Sequence, residues 1–348
     1  MTSSDFQIEA HNSPPADWEG FVAAHPAAHL YHRPAWTELI RRNFGHPTRF
    51  ITLRRDGELA GVLPVTHFKS LIFGQTGVSL PFVNYGGPLL ADPAGAEPLM
   101  TFLKELRVRE GWKSVEIRHD AKLETGAPFK THKVTFVLDL PENPDDLMNF
   151  FKAKLRSQIR RPGKDGFYAK RGGVDLLDVY YRVFAENMRD LGTPVLPEGF
   201  FRDILETFPE ETGVVAVYDA DHRPASASFL IRSGETMEIP WASSLREFNR
   251  SSPNMLLYWE SFMVAMEAGC KFFDFGRCTV DAGTYRFKKQ WGSREVPLYW
   301  YYALPENETL PEVSPANPKF EMMVQMWQKL PLGISNLLGP RIIRHIPG

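Results

Sequence analysis

Two largely apolar runs make up RFITLRRDGELAGVLPVTHF (residues 49–68), and the polar Asp56-Gly57 separates them. Strand-like runs on both sides of Asp-Gly predict two antiparallel strands joined by a tight turn. SVEIRH and KVTFVLDL read as further strands, and LMTFLKELRVREG reads as a helix with Leu99, Phe102, Leu103 and Leu106 on one face. Near residue 143 the period changes. Asn143-Pro144-Asp145-Asp146 is a helix start, with a capping Asn, Pro at the first helical position and acids in the first turn. Leu147, Phe150, Phe151, Leu155 and Ile159 continue it as one apolar stripe, which Pro162-Gly163 ends.

A second hairpin-like series follows in the strands GVVAVYD, PASASFLIR and ETMEIPWAS, separated by turn residues at 219–223 and by Ser233-Gly234. The helix NMLLYWESFMVAMEAG follows, with Gly269 as its expected C-cap, and then the strands KFFDFG and VPLYWYYAL. Both halves thus run helices, an antiparallel hairpin series, a helix and a further strand. That order suggests a duplicated α/β domain, with units at 1–142 and 143–312 and a helical tail at 313–348.

The chain's 348 residues suit two domains, and its 43% hydrophobic and 24% charged content is that of a globular protein able to build cores without staples. A net charge of −2 means that any contact with a polyanion must come from a local patch. Cys270 and Cys278 are too few for a disulfide framework, which suits a reducing cytoplasm. The first residues lack the apolar core of a signal peptide, and no window nears the ~20 apolar residues needed to span a bilayer. A cytoplasmic protein is expected. The apolar and basic segment FEMMVQMWQKLPLGISNLLGPRIIRHI would either pack on its own fold or lie at the inner face of the membrane as a peripheral contact.

Three constellations carry chemistry. In FKAKLRSQIRRPGKDGFYAKR, Lys152, Arg156 and Arg160 recur every four residues, with Lys154 close by, and a like-charged row at that spacing is relieved by an anionic ligand. The same stretch invites comparison with the pyrophosphate loop of acetyl-CoA-dependent enzymes. Asp165 stands where that loop needs a small residue, which argues against CoA there. In ETMEIPWASSLREFNRSSPNMLLYWE, Pro240 inside a strand implies an edge or a bulge, and Trp241, Ser243, Asn254 and Tyr258 offer hydrogen bonds and aromatic surface. In FDFGRCTVDAGTYRFKKQWG, Asp274 and Arg277 fall at the end of a strand, as an ion pair or as site residues. Tyr285, Lys288 and Trp291 follow closely, and an ammonium there would stabilise charge on an acyl carbonyl or hold a phosphate. Signatures of serine hydrolases, zinc sites and P-loops do not occur, and the scattered histidines read as packing or surface residues.

The run from Met237 to Gly292 resembles the FemAB-like peptidyltransferases, a branch of the GNAT acyltransferase superfamily. NMRDLGTPVLPEGFF and LIFGQTGVSLPFVNYGG are similar to the group associated with exosortase (PEP-CTERM) and exopolysaccharide systems. The resemblance covers about residues 20–305. It implies two tandem GNAT-like domains with central mixed sheets, and transfer of an amino acid from aminoacyl-tRNA to an amine on a peptidoglycan precursor, without a metal. Phe287-Lys288-Lys289-Gln290-Trp291-Gly292 matches the family's Phe-Lys-x-x-aromatic-Gly motif, so Lys288 inherits the role of steadying the transition state. Lys154, Arg156 and Arg160 correspond approximately to its basic helix. The coiled-coil insertion that binds tRNA in some members is missing from this sequence, so the donor is open between aminoacyl-tRNA and acyl-CoA. The acceptor is open between a lipid-linked peptide and an exopolysaccharide amino sugar. The general base is expected to be Asp274 or the substrate itself. The rival readings are a CoA-dependent N-acetyltransferase and a non-catalytic module that binds a glycan precursor or RNA.

Overall fold

The structure is a computed structural model that describes residues 6–71, 74–280, 283–306, 308–310 and 318–347. Ile72, Phe73, Asp281 and Ala282, which fall in segments quoted above, and residues 311–317 at the start of the expected tail lie outside the described residues. In chain order the strands are β1 (Gln7–His11), β2 (Thr48–Arg55), β3 (Glu58–Ser70), β4 (Gly74–Val78), β5 (Leu89–Leu90), β6 (Val115–His119), β7 (Phe129–Asp139), β8 (Tyr168–Gly172), β9 (Thr212–Tyr218), β10 (Pro224–Ser233), β11 (Thr236–Ser244), β12 (Phe272–Asp274), β13 (Cys278–Thr279) and β14 (Arg294–Ala303). The helices are α1 (Trp18–Ala24), α2 (Pro34–Phe44), α3 (Ala96–Glu110), α4 (Pro144–Phe150), α5 (Ala153–Lys164), α6 (Leu177–Leu191), α7 (Glu198–Thr207), α8 (Pro253–Glu267), α9 (Gly283–Lys289), α10 (Pro318–Gln328) and α11 (Leu332–Ile343). The chain divides into two compact units. One comprises residues 1–134, 297–313 and 344–348, the other residues 135–296 and 314–343.

In the first unit the β2–β3 hairpin turns at Asp56-Gly57, both at positive φ (52° and 85°), the geometry that Asp-Gly favours. β1, β2, β3 and β4 pair antiparallel in that order, β4 pairs parallel with β6, and Tyr299–Ala303 of β14 pair antiparallel with β6. Leu99, Leu103 and Leu106 of α3 are buried against Ile51, Leu63, Val115 and Ile117, and Phe102 is partly buried at the margin of that core. His32 is buried. Its Nε2 lies 2.9 Å from the Gly87 carbonyl and its Nδ1 accepts the His29 N–H, so this histidine serves packing.

The second unit holds the three constellations. Its sheet runs β7 (Thr135–Asp139), β12, β11, β10, β9, β8, antiparallel except where β11 meets β12. Alternation along β10 separates two helical layers. The Ser228 hydroxyl meets Ser261 of α8, while the Phe229 ring meets Tyr180 of α6 and Phe201 of α7.

Two expectations need correction. The helix expected from residue 143 is two helices, because Phe151 and Lys152 are extended (ψ 142° and 150°). The break leaves Phe150 60% exposed while Phe151, Leu155 and Ile159 stay buried. Pro162-Gly163 also does not end the helix, since α5 runs to Lys164 with Pro162 in its last turn. The expected cap does form, as Asn143 accepts the Asp145 N–H at 2.9 Å. Asn143→Ala should therefore cost about 1 kcal/mol, read as a lower urea midpoint with an unchanged slope.

Candidate functional site

The bulge that Pro240 implies is present. Phe229 pairs with Trp241 and Ile231 with Glu238, so Ile239 and Pro240 together oppose Leu230 alone. The extra residue resets the alternation and puts Glu238, Trp241 and Ser243 on one face of β11. On the other edge of β11, pairing with β12 lasts only from Thr236↔Phe272 to Glu238↔Asp274. β11 continues to Ser244 on β10, so the β11–β12 ladder stops beside the bulge.

Where β12 stops, the chain turns at Gly276, whose φ of +70° is costly for any residue with a Cβ. Asp274 Oδ1 accepts the Gly276 N–H at 2.8 Å and lies in a short contact with the Thr135 hydroxyl, which is also 3.0 Å from the Gly276 carbonyl. That fixed turn presents two carbonyls to Lys288, whose Nζ donates to Gly276 O at 2.6 Å and to Arg277 O at 3.1 Å. An ammonium has three N–H donors. Among the described residues two go to the turn, which leaves a third for a substrate oxygen.

The residues around Lys288 explain its motif. Phe287 and Trp291 lie one helical turn apart and meet Tyr258 of α8 at ring distances of 5.0 and 5.9 Å, which holds α9 in place. Trp291 is fully buried, against Phe151 and Phe262 as well. Gly292 has φ +75°, and a Cβ there would come within 2.8 Å of the Phe150 ring. Lys288 itself is 6% exposed. Burial pushes its ammonium down from its ordinary value to about 8, while the nearby Cys278, Asp274 and Glu238 oppose that fall. At neutral pH it remains mostly a cation.

The site residues expected from the sequence fall into four places in this unit. Lys288, Asp274, Arg277, Tyr258, Tyr285 and Trp291 gather around the Gly276 turn and α9. Tyr285 packs edge-on against Phe136 and donates to Glu295 at 2.5 Å. The Tyr258 hydroxyl is pushed well up by burial and keeps its proton, and its ring stacks on Phe275. Trp241 and Ser243 belong instead to the α6–α7 layer, with Trp241 against Phe200 and Phe201 and Ser243 accepting from Asn187. Asn254, half-buried, opens α8. The basic row lies on α5, where Lys154 and Arg160 are exposed and Arg156 is half-buried with one N–H on Phe151 O at 2.7 Å. Arg171 joins none of these, because Glu260 and Glu267 of α8 hold it. Residues 160–165 form the end of a helix, not the loop before one, so the fold builds no pyrophosphate cradle there.

Sequence reasoning missed Glu238 and Thr135. Both are buried, and Glu238 is close enough to raise the Lys288 pKa. A carboxylate inside the apolar strand, two residues before a proline, was the available signal for Glu238.

The Lys288 charge costs stability with a definite pH sign. Between about 8 and 10.5 the unfolded chain binds more protons than the folded one at this residue, so its burial penalty shrinks as pH rises through that window. Lys288→Met should make the protein more stable at pH 7, by on the order of 2 kcal/mol once the loss of two hydrogen bonds is offset. The advantage should narrow between pH 8 and 10.5 in urea melts of the two proteins.

Comparison with known proteins follows the same geography. A family model described as an acetyltransferase (GNAT) domain matches residues 138–289. A lipid II:glycine glycyltransferase of Staphylococcus aureus (strain COL) is 26% identical over 241 residues, covering 62% of this chain and 52% of that protein. The chain thus spans about half the length of the curated relatives it matches. The crystal structure of FemX superposes with a TM-score of 0.62 at 18% identity, over 84% of this chain and 97% of that one. A tandem GNAT protein from the clavulanic acid biosynthesis pathway gives 0.54 at 11% identity, over 87% of this chain and 100% of that one. At those identities the two structures speak for the fold, which is a tandem GNAT arrangement of mixed α/β type. Residues 138–289 thus match a GNAT acetyltransferase domain, in a chain similar in sequence to a lipid II:glycine glycyltransferase.

Proposed function

We propose that the protein is an acyltransferase that moves an aminoacyl group onto an amine of a lipid-linked peptidoglycan precursor. The observation that carries the proposal is Lys288, a desolvated ammonium with two N–H groups committed to the Gly276 turn and a third available. The similarity to lipid II:glycine glycyltransferase supports the choice of donor group and acceptor.

In the reaction, the acceptor amine attacks the carbonyl carbon of the donor ester, forming the C–N bond. Negative charge collects on the carbonyl oxygen, and the third Lys288 N–H stabilises it there. The tetrahedral adduct collapses by breaking the C–O bond to the donor ribose. Glu238 takes the proton released by the amine and returns it to the departing oxygen. Asp274 acts as a positioning residue, since its carboxylate shapes the turn that holds Lys288. Lys154, Arg156 and Arg160 bind phosphates of the donor or the acceptor. Arg277 and Tyr285 border the acyl group, and Asn254, at the start of α8, contacts the donor. Tyr258 and Trp291 act through the packing of α9. Trp241 and Ser243 support the bulged strand from the α6–α7 layer. A lipid-linked acceptor implies peripheral residence at the inner face of the membrane. Among the described residues no helix is long and apolar enough to cross one.

An exopolysaccharide amino sugar is the second acceptor to test, with a nucleotide sugar as the probe. The GNAT domain match favours acyl-CoA as the second donor, though not at residues 160–165, which form the end of a helix.

The test is transfer of radiolabelled amino acid from aminoacyl-tRNA to a lipid-linked peptidoglycan precursor, with acetyl-CoA and nucleotide sugars in parallel. Transfer from aminoacyl-tRNA should be seen, and Lys288→Ala should lower kcat about 10²–10³-fold. Glu238→Gln should lower kcat at least about 10²-fold with little change in melting temperature. Asp274→Asn should lower activity and stability together. Acetyl transfer without aminoacyl transfer would replace the proposal by the CoA-dependent reading.

A further inference from the structure

Among the described residues, thirteen large hydrophobic side chains are exposed, and six of them, Met322, Met323, Met326, Ile334, Leu337 and Leu338, lie within the 17 residues from 322 to 338. Scattered apolar side chains on a surface need no account, but a concentration of this kind does. Both helices that carry it are anchored. Val324 of α10 packs on Gly192, and Gln328 donates to the Asp190 carbonyl at 3.0 Å. On α11, Ser335, Gly339 and Ile343 are buried at intervals of four, and Gly339 approaches Val195 so closely that a Cβ would meet it at 2.8 Å. The apolar tail thus packs on its own fold through one face of each helix.

The opposite face of α11 ought to be polar on a helix that ends its packing there. It carries Ile334, Leu337 and Leu338 instead, 45%, 60% and 36% exposed, with Arg341 exposed on the same side. On α10 the exposed large apolar residues are Met322, Met323 and Met326, at 57–65%, beside exposed Glu321, Gln325 and Gln328. Methionine adapts its long, unbranched side chain to an irregular apolar medium. Residues 318–343 contain Lys319, Lys329 and Arg341 against the single acid Glu321, in a chain whose net charge is −2. Apolar side chains with a basic excess fit an anionic lipid surface, into which apolar groups insert while lysine and arginine remain at the headgroups. Helices of 11 and 12 residues are about 17 Å long, too short to span a bilayer, so they would lie in its plane.

We infer that the outer faces of α10 and α11 form a docking surface for an anionic membrane. This goes beyond the transferase reading and stands without it. The surface binds lipid whether or not the Lys288 site transfers an acyl group, and it places the protein where a lipid-linked molecule is found.

The experiment is co-sedimentation of the full chain with vesicles of phosphatidylglycerol and phosphatidylcholine, beside vesicles of phosphatidylcholine alone. A variant combining Met322→Ser, Met326→Ser, Leu337→Ser and Leu338→Ser serves as the comparison, with circular dichroism to show that it folds. The wild type should bind the anionic vesicles, and the variant's partition coefficient should fall by about tenfold or more. Arg341→Glu should weaken binding several-fold at low salt and much less at high salt. Equal partition of the wild type and the folded variant, or no binding to anionic vesicles, overturns the inference. So does a wild-type dimer in sedimentation velocity that the same four substitutions dissociate, because the face would then be occupied by a second copy. Transfer activity plays no part in these readouts, so loss of the transferase proposal and loss of this one remain separate results.

Discussion

An ammonium removed from water is the constraint around which the second unit is arranged. Lys288 is buried, its charge is disfavoured by that burial, and it is kept by two backbone carbonyls that the chain has bent to reach it. The bend depends on Gly276 in the left-handed region, on the Asp274 carboxylate accepting the Gly276 N–H, and on Thr135 beside both. From the other side, Phe287 and Trp291 clamp the short helix α9 to Tyr258. Seven residues could not hold a helix alone, so tertiary packing supplies what helix propensity cannot. The F-K-x-x-W-G pattern is therefore mechanical as much as chemical: two aromatics fix the helix, the glycine admits Phe150, and the lysine is aimed.

The sheet gives this charge its surroundings. β11 pairs with β12 for three positions only, and its bulge at Ile239-Pro240 moves Glu238 to the face shared with Trp241 and Ser243. Without the inserted residue, alternation would put Glu238 and Trp241 on opposite faces. One proline thus determines which side chains accompany the buried carboxylate. The α5 row follows a simpler rule. Leu155 and Ile159 bury one face of that helix, and the lysines and arginines are left at the surface, where they repel one another until an anion arrives.

Much of this was legible in the chain, and the reasons for the exceptions are physical. Hairpin turns and caps depend on local chemistry, so Asp56-Gly57, Asn143 and the left-handed Gly269 could be read directly. Pro240 announced its bulge for the same reason. The break at Phe151-Lys152 was hidden because residues on either side of it keep helical spacing, and only the burial of Phe151 against Phe262 and Trp291 selects the extended form. Glu238 and Thr135 were missed because their importance lies in partners distant in sequence. The partner of VPLYWYYAL was equally invisible. A strand's pattern tells which face is buried, not that Tyr299–Ala303 will pair with Val115–His119. Trp241 and Trp291 both read as site aromatics, yet burial separates them: one belongs to the α6–α7 layer, the other to the clamp on α9.

The central claim is that Lys288 is a desolvated cation held ready by the Gly276 turn. The direct test is an NMR titration of the lysine side-chain amines, with Lys288→Met assigning the resonance. A resonance absent from the variant and titrating near pH 8 is the predicted result. If the assigned amine titrates at the ordinary lysine value near 10.5, the group is solvated, and the account of the site fails with it.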